Sequence, residues 1–336
     1  MPTADLRSLL SGKKFRWLVT GAAGFIGSNL TEALLAAGQE VVGFDNFSTG
    51  RRQNLEEVRA SLNSAQWDNF TLIEESIENS VSLLKATDRV DFVLHHAAFV
   101  SVPLSIKDPE ATQRINVQGF QNVLEAARKA QVRRVIYASS AAVYGSETAI
   151  PALEERIGNP LSPYAASKRE NEKSAVTFEN ASGQSSLGLR YFNIYGPRQD
   201  PGSDYGAVIP TWIRALLKKE PIVIFGDGET SRDFCFIGDV VLANVRAALA
   251  DLRLHPERVL NVAAGRQTSL NQLFHALSKG LGIEAPMPQY RDFRAGDVRH
   301  SVADMHVARR VLGAIPNTSL EEGVEKSAPW FRRHLS

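Results

Sequence analysis

The stretch Arg16-Trp-Leu-Val-Thr20 followed by Gly21-Ala-Ala-Gly24-Phe25-Ile26-Gly27 decides the fold. Its first five residues are a short apolar run of strand length. From Ser28 onward apolar residues recur at Leu30, Ala33, Leu34 and Ala37, a helical period that Gly38 closes. Between strand and helix lie three glycines spaced three apart. Glycines there allow a tight turn, let the backbone approach a pyrophosphate and permit close helix packing, while the helix N-terminus faces the phosphates. A glycine triplet alone is common, but this one is followed by a second apolar run, Val41-Val-Gly-Phe44, ending in Asp45. A carboxylate at that place accepts hydrogen bonds from both ribose hydroxyls and disfavours a phosphate, which points to NAD over NADP. Arg51 and Arg52 are a counter-signal, since they are able to reach a 2′-phosphate, although they come after the turn Asn46-Phe-Ser48-Thr49-Gly50.

Further strand candidates follow at residues 70–73, 90–94, 134–138 and 186–189, with helix-period stretches at 115–130 and 164–179. Strand and helix alternate, which predicts an α/β fold: a Rossmann-type doubly wound parallel sheet covered on both faces. From Asn193 the texture changes, with clusters such as Gly196-Pro-Arg-Gln-Asp-Pro-Gly202 and Gly226-Asp-Gly228. We therefore expect an NAD-binding domain over residues 1–192, with returning segments near 235–265. Residues 193–336 are expected to form a smaller mixed α/β C-terminal substrate lobe.

Composition narrows the function. With 336 residues, 43% hydrophobic and 22% charged, the chain is able to bury a substantial core. A formal net charge of +1 leaves no broad footprint for nucleic acid or an anionic membrane, so an anionic ligand must be held by local basic groups. The single Cys235 fits a reducing compartment. Charges at Asp5, Arg7, Lys13 and Lys14 argue against a secretory signal, and no long apolar segment occurs, so a cytoplasmic protein is expected.

Tyr164 and Lys168 are four residues apart, which on a helix places a phenol and an ammonium on one face, about 6 Å apart in rise. A phenol with a pKa near ~10 is a poor base at neutral pH, and a fixed cation nearby favours the phenolate. The pair is a candidate proton shuttle. The neighbouring histidines His95-His96 have no metal-ligand constellation around them and read as strand-end packing.

With the glycine spacing, the Tyr-x-x-x-Lys helix and Ser140 in Ala138-Ser-Ser140-Ala-Ala-Val-Tyr-Gly145, the chain resembles the extended short-chain dehydrogenase/reductase family over nearly its whole length. Within it, the chain is most similar to the nucleotide-sugar 4-epimerases, in particular the UDP-N-acetylglucosamine 4-epimerase group and its uronic-acid relatives. The matching stretches are Gly158-Asn-Pro-Leu-Ser-Pro-Tyr164, Leu189-Arg-Tyr191-Phe-Asn193, Ala207-Val208-Ile-Pro-Thr-Trp212, Gly226-Asp-Gly-Glu-Thr-Ser-Arg232-Asp-Phe234 and Arg294-Ala-Gly-Asp-Val-Arg-His-Ser301. The resemblance implies that Tyr164 takes the proton from a sugar 4-hydroxyl, that Lys168 lowers the Tyr pKa and bonds the nicotinamide ribose, and that Ser140 orients the reacting oxygen. It assigns NAD contacts to Gly21, Gly24, Phe25, Ile26, Gly27, Asp45, Asn46, Ser48, Thr49, Gly50, Ile77, Ala97, Tyr164, Lys168 and Tyr191. For a UDP-sugar, Arg232, Arg294 and Asn193 match diphosphate contacts, Arg266 a further nucleotide contact, Ala207, Val208 and Trp212 the uridine side, and Ser101 the sugar. Ser301 stands where related galactose epimerases have a gate, and its small size implies room for an N-acetyl group. A homodimer built on the Tyr164 helix and the 115–130 helix is expected from the same likeness, with neither nucleic acid nor membrane as partner.

Some positions depart from the pattern. Glu75-Ser76 replaces a common Gly-Asp at the adenine side. Ala141-Ala142 follow Ser140 where relatives carry hydroxyls, and Phe99 and Val100 bring bulk towards the nicotinamide end. Ala141 and Ala142 offer no acid or base, which argues against a 4,6-dehydratase. Readings left open are epimerisation of UDP-N-acetylglucosaminuronic acid or of UDP-glucose and UDP-galactose, a nucleotide-sugar reductase, and a non-catalytic NAD sensor.

Overall fold

A computed structural model describes residues 3–200, 207–293, 298–313, 315 and 317–335. Seven parallel strands form the central sheet in the order Val259–Val262, Ser186–Tyr191, Arg134–Ser140, Phe92–His95, Arg16–Thr20, Glu40–Asp45 and Phe70–Glu74. Strand order reverses beside Arg16–Thr20, which pairs with both Glu40–Asp45 and Phe92–His95. That reversal opens a crevice at the carboxyl ends of the strands, where open α/β sheets bind ligands.

Strand side chains alternate between two apolar layers. Trp17, Val19, Ile136, Leu187 and Leu189 join one core, and Leu18, Val42, Val93, Val135 and Tyr137 join the other. Leu30 and Leu34 of helix Phe25–Ala36 and Val240 and Val241 of helix Ile237–Leu249 cover the first face. Leu83, Phe120, Val123 and Ala175, from helices Ser80–Ala86, Gly119–Lys129 and Pro163–Ser182, cover the second. With apolar contacts on both sides, the central strands read as unbroken hydrophobic runs, so their existence was plain from sequence. The doubly wound parallel sheet is as expected.

Boundaries moved where polar groups close the ends. The strand expected from Val90 begins at Phe92, because Asp91 accepts the Arg16 N–H through Oδ2 at 2.9 Å and serves as the strand's entry. The helix expected over 115–130 begins as a π-helical stretch, Gln113–Gln118, before the α-helix Gly119–Lys129. The remaining chain carries helices Val208–Leu217, Leu270–Gly280 and Leu320–Leu335, with short strand pairs of both senses. Among the described residues, no helix is long and apolar enough to cross a membrane.

One ion pair lies inside this framework. Arg190 on strand Ser186–Tyr191 donates from Nε and Nη2 to the two oxygens of Glu172, each at 2.9 Å, with side-chain exposures of 3% and 9%. Ser139 Oγ adds a 2.5 Å bond to Glu172, and Arg190 Nη1 reaches the Glu154 carbonyl. Removing one partner leaves a buried charge without its counter-charge. Glu172→Ala is therefore expected to lower the unfolding free energy by about 3–5 kcal/mol, whereas Glu172→Leu combined with Arg190→Met costs much less. Urea denaturation of the three proteins checks this, and equal losses would refute it.

Candidate active site

A cleft of about 990 Å³ runs from the glycine turn to Tyr164 and Lys168. At its first end the backbone comes too close for side chains. A Cβ at Gly27 would lie 2.0 Å from the Gly21 carbonyl oxygen, and one at Gly21, where φ is +72°, would lie 2.7 Å from the Ala97 nitrogen. Helix Phe25–Ala36 begins at Gly24 with no side chain capping it, so its first N–H groups are left for an anion. Asp45 is buried; its Oδ2 accepts the Ala23 N–H at 2.9 Å and its Oδ1 the Phe47 N–H at 2.8 Å. Burial pushes its carboxyl pKa up, and these two N–H groups oppose the shift. Two bonds leave acceptor capacity on the carboxylate for a ribose diol. These residues fit an NAD molecule.

The two arginines that offered a 2′-phosphate site are engaged elsewhere. Arg51 pairs with Asp200. Arg52 Nη2 lies 2.6 Å from Glu74, with its guanidinium 4.1 Å from the centre of the Phe47 ring. Asn46, Ser48, Thr49, Gly50, Ile77 and Ala97 line the same cleft, with Phe25, Ile26 and Tyr191. At the expected adenine side, Glu75 accepts from the Ser76 N–H and the Asn79 amide, and so braces its own loop.

At the other end, helix Pro163–Ser182 starts at Ser162, whose Oγ accepts the Ala165 N–H at 3.1 Å, with Pro163 in the first turn. Its second residue, Tyr164, donates its backbone N–H to Ser105 Oγ at 3.1 Å, which docks the helix start on helix Val102–Lys107. Lys168 Nζ donates to the Ala138 carbonyl at 2.8 Å and sits 5.8 Å from the centre of the Tyr164 ring. Ser140, the last residue of its strand, accepts the Ala142 N–H at 3.1 Å and also bonds the Tyr164 hydroxyl. The electrostatics differ from the expectation that Lys168 lowers the Tyr164 pKa. Burial raises the phenol, and the group opposing that is Ser140. Burial also brings Lys168 down to about 8, against the pull of Glu172. Desolvation disfavours both charged forms and outweighs their attraction.

Several supporting residues escaped the sequence reading. Glu172 follows Lys168 by four residues, so a third member of the Tyr164 face was there to be read. Asn116, in the π-helical stretch, accepts the Phe99 N–H at 2.7 Å and donates to the Phe99 carbonyl and to Ser167 Oγ, each at 3.1 Å; nothing local in the sequence announces this long-range bracing. His95 is buried and His96 half-buried. His95 Nδ1 meets Thr20 Oγ1 at 2.8 Å, and His96 Nε2 meets the Tyr191 hydroxyl at 2.9 Å, with burial taking the His96 pKa down to about 3. No group of three side chains able to hold a metal occurs among the described residues.

Ser101 lines the cleft and caps helix Val102–Lys107 through its Oγ. The other residues matched to a substrate lie in the C-terminal half. Asn193 Nδ2 donates to the Asp233 carbonyl, Ala207 is the N-cap of helix Val208–Leu217, and Val208 begins it. Trp212 on that helix is packed into the apolar core. Arg232 and Ser301 flank one another, because the Ser301 N–H donates to the Ser231 carbonyl at 3.2 Å. Arg266 is drawn outward to Asn317, at 2.7 Å from its side-chain oxygen. Arg294 lies outside the described residues. Asp233 ties these loops together by accepting the N–H groups of Ala264, Gly265 and Ala303 at 2.8–3.1 Å; burial nonetheless raises its pKa to about 6.

The NAD dependent epimerase/dehydratase family matches over residues 17–263. The UDP-glucose 4-epimerase of Mycolicibacterium smegmatis is 39% identical over 319 residues, covering 94% of this chain and 98% of that protein. The structure of UDP-N-acetylglucosamine 4-epimerase from Methanobrevibacter ruminantium in complex with UDP-N-acetylmuramic acid superposes with a TM-score of 0.86 at 36% identity, covering 95% and 98% of the two chains. That of UDP-glucuronic acid 4-epimerase from Bacillus cereus, in complex with UDP-glucuronic acid and NAD, gives 0.82 at 32% identity over 95% and 99%.

The lowered Lys168 pKa has a consequence for stability. Between about 8 and its ordinary 10.5 the unfolded chain binds more protons at this residue than the folded chain, so its contribution to stability rises with pH across that window. Below it the buried ammonium is a constant penalty. Lys168→Met is expected to raise the melting temperature at about pH 7 and to lose that advantage by about pH 10. Thermal denaturation at both values reads this, and an advantage that does not shrink would remove the buried charge as its cause.

Proposed function

Because the chain belongs to the NAD dependent epimerase/dehydratase family, we propose that it interconverts UDP-N-acetylglucosamine and UDP-N-acetylgalactosamine by inverting carbon 4. The coarser activity, an NAD-dependent UDP-sugar 4-epimerase, is common to its relatives. Bound NAD supplies a reversible hydride acceptor, so that a carbon bearing a hydroxyl passes through the ketone and is reduced again on either face.

The chain's own residues do the rest. Tyr164 removes the proton from the sugar 4-oxygen and returns it. Ser140, which bonds the Tyr164 hydroxyl, holds that oxygen in line. Lys168 carries the cation of the site, fixed by the Ala138 carbonyl. Epimerisation needs a firmly held nucleotide and a loosely held sugar, and Arg232 and Asn193 supply charge-assisted and neutral donors for the diphosphate.

The observation that carries the choice of sugar is Ser301, a small, half-buried residue whose backbone is fixed beside Arg232. An acetamido group has room where an aromatic side chain would fill the space. The cleft-lining stretch Phe99-Val-Ser101-Val-Pro-Leu104 contains no cation to pair with a carboxylate at carbon 6, which favours the neutral sugar over the uronic acid. The 39% identity to a UDP-glucose 4-epimerase favours a plain hexose as the second reading.

Incubation with UDP-N-acetylglucosamine, its uronic acid and UDP-glucose, each followed for its 4-epimer, tests the proposal; preference for either of the latter two rejects it. Tyr164→Phe is expected to lower kcat by about 100-fold to 10,000-fold. Ser301→Tyr is expected to suppress turnover of the N-acetylated sugar more than that of the plain hexose, and equal effects on both would sink the role given to this position.

A further inference from the structure

The last helix, Leu320–Leu335, is rooted in the C-terminal half, where it packs on helices Val208–Leu217 and Leu270–Gly280. Its final turns leave that half and reach the dinucleotide end of the cleft, which Trp330, His334 and Leu335 line together with Ile26, Asn54 and Glu57. Glu57, on helix Arg52–Ser61, receives the side chains of Trp330 and His334. Trp330 Nε1–H donates to Glu57 Oε2 at 2.7 Å, and His334 Nε2 lies 2.8 Å from Glu57 Oε1. The Trp330 and His334 rings stack with centres 4.4 Å apart and planes 19° apart. His334 Nδ1 faces the Trp330 carbonyl at 2.8 Å, so each of its ring nitrogens has an oxygen before it. Side-chain exposures of 16% for His334 and 20% for Glu57 keep most water away from the pair.

Trp330, His334 and Glu57 line the dinucleotide end of the cleft and not its reacting end. Together they join one half of the molecule to the other across the mouth of the dinucleotide site. A second tie crosses nearby. Arg198 Nη2 lies 2.5 Å from Glu32 and 2.8 Å from Asn29 Oδ1 on helix Phe25–Ala36, while Asn29 Nδ2 donates to the Pro197 carbonyl at 3.1 Å.

We propose that the Trp330–His334 tip of the last helix is a clasp, closed on Glu57, that holds the dinucleotide in its cleft by slowing its release. Glu57, Trp330 and His334 are positioning residues in this role. An enzyme that removes and returns a hydrogen at one carbon must keep the same cofactor throughout the cycle, and a barrier at the cleft mouth serves that need. The inference rests on the cleft binding NAD and is independent of the sugar.

The test is the rate of NAD release from the purified full-length protein, followed by displacement, together with the NAD retained through gel filtration. Glu57→Ala removes both acceptors, and Trp330→Phe removes one donor while keeping an aromatic ring. Each is expected to speed release by about tenfold or more, as loss of a shielded charge-assisted bond implies. Lys326→Ala, an exposed change on the same helix that removes its pair with Glu322 and its approach to the Phe236 ring without touching Glu57, is expected to leave release unaltered. Release from both clasp variants within about twofold of wild type overturns the proposal, since one bond alone is worth more than that. Acceleration by Lys326→Ala equal to theirs also overturns it, because the effect would then belong to helix stability. Should the clasp variants fail to fold, hydrogen exchange of wild-type amides 326–335 decides: NAD is expected to slow it, and unchanged exchange overturns the clasp. A wild-type protein that binds no NAD removes the dinucleotide reading itself, an outcome distinct from altered release.

Discussion

A buried cation organises the reacting end of this protein. Lys168 is 2% exposed, and an ammonium in that position is tolerated only with oxygen partners around it. The Ala138 carbonyl is one, which requires strand Arg134–Ser140 to end where it does and so places Ser140 beside the Tyr164 hydroxyl. Glu172, one helical turn further on, is the nearest counter-charge, and it is in turn held by Arg190 and Ser139. Tyr164, Lys168 and Glu172 thus form one column, alternating phenol, cation and anion, on a helix pinned at its start by Ser105 and Ser162. The sheet supplies four of the groups against which this column is fixed: the Ala138 carbonyl, Ser139, Ser140 and Arg190.

Much of this was legible because it follows from local periodicity. The strands stand out as short apolar runs, since both sheet faces are covered, and four-residue spacing puts Tyr164 and Lys168 together without knowledge of the rest. The glycine turn could be read residue by residue, as the close approach of Gly27 to the Gly21 carbonyl requires. What stayed hidden depends on pairs distant in sequence. Asn116 braces Phe99 and Ser167, Asp233 gathers three loops, and Glu57 meets Trp330 across 273 positions. A lone Asn, Asp or Glu carries no sign of such a partner. The sign of the Tyr164 shift was missed for a related reason: spacing reveals the neighbouring charge, but the depth of burial that outweighs it is a property of the whole packed layer.

The glycine turn and the C-terminal loops differ in how they are built. At the glycine turn main-chain atoms define the shape of the cleft, so a side chain at Gly21 or Gly27 has no room. In the C-terminal half, three loops are drawn together by the Asp233 carboxylate, which accepts the N–H groups of Ala264, Gly265 and Ala303.

The outermost strand, Val259–Val262, pairs in parallel with Ser186–Tyr191 yet arrives only after the intervening chain has left the sheet and returned. During synthesis the first six strands therefore emerge with Ser186–Tyr191 as an uncovered edge, its outward backbone groups unpaired, until residue 262 is available. A ribosome stalled between these two strands would expose a template for association with another nascent chain. The late strand is thus a closing stitch as much as a structural element, and it makes completion of the sheet conditional on the C-terminal half having been made.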